Sequence, residues 1–114
     1  MLTIFHIGWY FAKPNNNCDD ACRLLGLTCS EKELVNHNWE VDSCSEVEKI
    51  LESKLTYFDG FECDESWGYE EDVPNCKDNF DYCFVSGYSK SRSSVNCDAI
   101  PYPPEDKQRL CYCN

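Results

Sequence analysis

The sequence predicts a small disulfide-rich α+β domain: two or three short N-terminal helices, a few short strands, long irregular loops and about five disulfides. Three observations carry this prediction. Ten cysteines fall within 114 residues, a density near that of disulfide scaffolds. The first half holds helix-start signals followed by apolar residues at helical spacing. The second half holds short runs of β-formers broken by glycine and proline. The length is that of one domain, read as an apolar arm over 1–7 and a single disulfide-rich domain over 8–114. Cys18, Cys22, Cys29, Cys44, Cys63, Cys76, Cys83, Cys97, Cys111 and Cys113 are even in number, so all can pair, and their spacing leaves the connectivity open. Five disulfides at about 2–4 kcal/mol each would supply much of the stability of a domain with so modest a core.

Taken in order, residues 4–11 are rich in β-formers. Gly8 to Ala12 reads as a first strand, and Met1 to Ile7 as an arm open to docking on a partner. Pro14 and Asn15 to Asn17 make a turn. Asn17 then caps a short helix that gathers three cysteines, Cys18, Cys22 and Cys29. Asp19 and Asp20 suit the dipole of its first turn, and Gly26 provides a left-handed stop. Cys18 and Cys22 share one helical face, and the expectation is that they bond to two other segments rather than to each other. Ser30 to Glu33 is a capping-box pattern opening a helix through about His37. Ser43 to Glu46 opens the longest helix, roughly 44–55, with Val47, Ile50, Leu51 and Leu55 at helical spacing.

From Tyr57 the character changes. Residues 57–76 hold seven acids with Gly60, Gly68 and Pro74, and sustain no period. An irregular loop held by Cys63 and Cys76 is expected there. Residues 80–86 read as a strand, Ser86 to Ser94 as a polar loop and the likeliest mobile segment, and Ile100 to Pro104 as extended. Gln108 to Cys113 is a short strand with Cys111 and Cys113 on one face, each bonding to a different partner, with the first helix as a candidate.

Disulfides at this density require an oxidising compartment: extracellular, secretory or an organellar lumen such as that of the thylakoid. The apolar start lacks a basic n-region and a small-residue cleavage site, so the chain is read as a processed or partial product. Twelve such residues are too few to span a bilayer, and no transmembrane helix is expected. The net charge of −11 argues against nucleic acid and anionic membrane surfaces as partners. It favours solubility and a basic partner patch. No Asn-x-Ser/Thr sequon is present.

Cys18-Asp19-Asp20-Ala21-Cys22-Arg23-Leu24-Leu25-Gly26-Leu27-Thr28-Cys29, with the later Asp81-Tyr82-Cys83, Asn96-Cys97 and Arg109-Leu110-Cys111-Tyr112-Cys113, resembles a known cysteine-rich pattern. It is similar to the C-terminal cysteine-rich segment of N-acetylglucosaminyltransferase V (α-1,6-mannosylglycoprotein 6-β-N-acetylglucosaminyltransferase). It also resembles related small modules of algal and protist proteins. That family closes the segment with R-L-C-P-C, where this chain has Tyr112 in place of the proline. The glycosyltransferase catalytic domain is absent, so no catalytic residue carries over. The resemblance implies a luminal or extracellular disulfide module, and an algal or protist source.

Chemistry has few footholds. Only His6 and His37 could activate a thiol, and all ten cysteines are better read as cystines. Zinc spacing is missing, and the acid-rich segment 59–72 lacks the ligand order of an EF-hand, so it reads as a solvated face. No cofactor, no metal and no catalytic residue are expected. Aromatic content is 14%, and tyrosine and tryptophan make good interface anchors. The candidate binding residues are Phe5, Trp9, Tyr10, Phe11, Trp39 and Trp67. The reading is a non-catalytic structural or protein-binding subunit of a larger assembly, in a lumen or outside the cell. An accessory luminal subunit of an algal photosynthetic membrane complex is the specific case. The alternative is an extracellular carbohydrate-binding module, with tryptophans stacking on sugar rings.

Overall fold

The first helix, α1 (Cys18–Leu24), forms where its signals stand. The Asn17 side chain accepts from Asp20 N at 2.7 Å, and Gly26 turns the chain left-handed at φ +75°. In the computed structural model, which describes residues 5–88, 90–101 and 106–114, α2 (Glu31–Asn36) and α3 (Cys44–Lys54) follow. Ser30 and Ser43 each cap their helix by accepting from the backbone three residues on. The five strands among the described residues are β1 (Gly8–Phe11), β2 (Glu62–Asp64), β3 (Asn75–Lys77), β4 (Tyr82–Phe84) and β5 (Lys107–Cys113). They form one sheet in the order β1-β5-β3-β4-β2. All neighbours run antiparallel except β2 and β4, which are parallel.

Five disulfides join Cys18 to Cys111, Cys22 to Cys113, Cys29 to Cys97, Cys44 to Cys63 and Cys76 to Cys83. Every cysteine is paired, and such a set indicates an oxidising environment. Cys18 and Cys22 do not reach two segments as expected; both bond to β5. The reason is metric. Four helical residues rise about 6 Å and two strand residues about 6.8 Å, so a helix laid along a strand can make two successive rungs. α1 is thereby bolted to β5, an inner strand of the sheet.

The stretch 57–76 is not wholly irregular, since it contains β2 and β3. Each has three residues, too few for alternation to show in sequence, and each forms by pairing with distant chain. Cys63 and Cys76 hold this stretch to α3 and β4 rather than to each other. β4 is shorter than the expected strand, and Phe80 stands in a turn at φ +60°. Of the extended segment expected over Ile100 to Pro104, residues 102–104 lie outside the described residues, as do Met1 to Ile4 of the arm and Ser89 of the polar loop.

The core joins these cystines to Leu34, Val41, Val47, Leu51, Val85 and Leu110. β5 is buried along most of its length. Arg109 is its least ordinary core residue, 1% exposed. Its guanidinium donates to the Asn96 carbonyl at 2.5 Å, to Ala99 at 2.9 Å and to Glu71 at 3.1 Å. Burial pushes its pKa down to about 10, against the pull of Asp72, Asp19, Glu31 and Glu71, and it remains a cation at neutral pH. Three separate loop carbonyls are thus gathered onto one strand.

No helix among the described residues is long and apolar enough to cross a membrane.

Candidate functional site: an aromatic cleft at a glycine crossing

Two loops cross where Gly87 lies on Gly68, with Gly87 N donating to Gly68 O at 2.9 Å. A Cβ on Gly68 would meet Gly87 N at 2.6 Å, so only glycine permits this approach. The crossing is anchored from below. Asn38 Nδ2 donates to Gly87 O, Ser86 Oγ donates to Asn38 Oδ1, both at 2.6 Å, and Ser86 N donates to Val41 O at 3.1 Å. On the outside, the crossing presents Trp67 and Tyr69 from one loop and Tyr88 from the other, all exposed. The Trp67 and Tyr69 rings lie 6.4 Å apart.

Beside this ridge runs a cleft of about 640 Å³, lined by Trp67, Glu70, Glu71, Asp72, Val73, Asn75, Phe84, Ala99, Ile100 and Lys107. That volume falls within the range of small-ligand sites, roughly 300–1,000 Å³. Lys107 Nζ sits over the Phe84 ring at 5.0 Å. Asn75 is only 3% exposed. Its Nδ2 donates to Asp72 O at 2.9 Å, while its Oδ1 has no hydrogen-bond partner among the described residues. Behind the acidic rim, Lys90 donates to the Glu70 and Ser94 carbonyls. Burial, then repulsion from Arg109, lowers its pKa to about 8, against Asp72, Glu70 and Glu71.

The candidate aromatics are dispersed. Trp67 is at the cleft. Trp39 is exposed beside Asn38, which anchors the crossing. Trp9 is a core residue, edge-on to Tyr112 at 5.3 Å and donating to Glu40 Oε1 at 3.3 Å. Tyr112 is in turn stacked on His37, with ring centres 3.8 Å apart. Phe11 packs on Phe80 at 4.8 Å. Phe5, in the arm, meets Tyr10 edge-on at 6.2 Å. From Gly8 onward this stretch is therefore part of the sheet, and what it can offer a partner is the open edge of β1. Tyr69, Tyr88, Asn75 and Ile100 were not singled out in sequence. The repeated glycine–tyrosine pairs, Gly68-Tyr69 and Gly87-Tyr88, were the available signal.

A second polar cluster surrounds the Cys29–Cys97 disulfide. Asp19 lies with both sulfurs, all within 4.8 Å of one another, but sulfurs joined in a disulfide are not thiolate ligands. Asp19 hydrogen-bonds to the Asp98 carboxyl. That bond, burial, and repulsion from Asp98, Glu31 and Asp20 push its pKa up to about 6. The folded state therefore holds a proton that the unfolded chain releases near pH 4. This contribution to stability is full below pH 4 and is lost as pH rises through 6. Asp19→Asn should raise the melting temperature at pH 7 by a few degrees, about 1 kcal/mol after discounting for solvent. It should change little at pH 4. Thermal unfolding at both pH values checks this, and an equal gain at both would refute it.

No family model and no curated protein matches the chain.

Proposed function

We propose that this protein is a non-catalytic binding subunit that docks a protein partner in a lumen or outside the cell. The observation that carries the reading is the glycine crossing, which holds Trp67, Tyr69 and Tyr88 exposed, with Trp67 lining a mostly apolar cleft. Burying aromatic rings is the chief source of energy in interface anchors. Here the rings stand on a frame whose loops are tied by cystines and by the Arg109 and Asn38 hydrogen bonds, so little loop entropy is lost on docking. Native purification under mild conditions should carry the protein within a larger assembly. A Trp67→Ala/Tyr88→Ala variant, changed only at exposed positions, should fall out of it. Migration of the native protein as a free monomer would count decisively against the reading.

Carbohydrate binding is the second reading, favoured by the placement of Trp67 over a cleft that also offers Glu70 and Asn75. It requires that some immobilised glycan retain the protein and that Trp67→Ala release it.

A further inference from the structure

The cleft is more specific in its chemistry than an apolar docking patch. We infer that it receives the ammonium or guanidinium end of a basic side chain, with Trp67 and Phe84 against the stem, Glu70 and Glu71 facing the charge, and Asn75 Oδ1 accepting a hydrogen bond. This rests on the protein-docking reading above and names the chemistry of the partner's contact.

Three observations converge on it. Asn75 is buried, its amide nitrogen is committed to Asp72 O, and its oxygen has no partner among the described residues. A buried acceptor without a donor costs free energy, and a ligand carrying N–H groups relieves it. Trp67, Val73, Phe84, Ala99 and Ile100 give the walls apolar and aromatic surface, which suits the methylene stem that lysine and arginine carry. Exposed Glu70 and Glu71 supply negative charge at the rim, on a chain of net charge −11. Lys107 is the one basic residue in the lining among the described residues and is engaged over Phe84. Lys90 donates to the Glu70 and Ser94 carbonyls. Arg109 is committed to three carbonyls beneath. Lys107 over Phe84 also demonstrates that a cation is compatible with the aromatic wall.

The test uses the full chain, labelled with ¹⁵N, and three probes: Nα-acetyl-lysine methylamide, its neutral norleucine counterpart, and chitobiose. The lysine probe should shift the Trp67 indole and Asn75 side-chain amide signals, saturably and with an affinity that falls as salt is raised. Glu70→Gln/Glu71→Gln, both surface changes, should weaken it about three- to tenfold. Equal shifts from norleucine would reduce the site to an apolar patch and overturn the inference. Shifts from chitobiose alone would move it to the carbohydrate reading, and no shift from any probe at millimolar concentration would remove the site. If Trp67→Ala/Tyr88→Ala releases the partner while the lysine probe does not bind, docking stands and the cation inference falls.

Discussion

Removing both bonds between α1 and β5, Cys18–Cys111 and Cys22–Cys113, is expected to abolish folding at 37 °C, whereas removing either one is not. Their sequence separations are 93 and 91, and a loop of that size, closed alone, is worth about 4.6 kcal/mol in chain entropy. The two are not independent. While Cys22–Cys113 stands, Cys18–Cys111 closes only the few residues between neighbouring rungs, worth about 2 kcal/mol. Once one is gone, the survivor spans the longer circuit that runs through Cys29–Cys97, and its loss costs about 3–4 kcal/mol. Paired Cys→Ala variants should therefore lose about 2 kcal/mol for either bond and 5–6 kcal/mol for both. The latter equals much of the stability of an ordinary domain. Urea unfolding of the three variants measures this. Single variants as damaged as the quadruple one would show that packing at the cystines, not loop closure, is what matters.

Arg109→Ala should cost at least about 3 kcal/mol, the second largest effect expected. The change strands the carbonyls of Asn96, Ala99 and Glu71 inside the protein, and each orphaned acceptor carries a desolvation penalty of about 1–3 kcal/mol. The net figure stays below the full sum, because the arginine itself is costly to bury and its Nε is unpartnered among the described residues. Arg109→Lys should recover little, since a point charge with three donors on a flexible stem cannot reproduce the planar fork. Chemical denaturation of both variants decides it. A lysine variant as stable as the parent would mean that charge alone, not the geometry of the fork, organises these loops.

Local chemistry was readable in the sequence. The Asn17, Ser30 and Ser43 caps, the Gly26 stop and the three helices depend on residues within a turn of one another, and they stand where the sequence puts them. The cystine content was readable for the same reason, since ten cysteines need little context. Long-range matching was not readable. β2 and β3 are three residues each and owe their extension to β4 and β5. The double rung from α1 to β5 depends on the similar rise of four helical and two strand residues, which spacing permits without requiring. Arg109 looked like part of a closing motif, and nothing local marks it as a buried hub for three carbonyls. At the cleft, Trp67 was visible as an aromatic, but its companions were not. Tyr69, Tyr88 and Asn75 become a set only through the approach of Gly68 to Gly87, residues far apart in the chain.

The helix-to-strand bolts also fix how the domain would carry a mechanical load. Gly8 lies opposite Cys113 in the β1–β5 pair, so tension between those points would peel the two strands apart rung by rung. The peeling stops at Cys18–Cys111, after ten residues of slack, or about 35 Å. From there the force crosses the sulfurs of both bolts, and residues 23–110 lie off the load path. The aromatic ridge and its cleft would keep their shape while the flanking chain is pulled taut, so a partner seated there would feel the strain of an assembly only as a change in position.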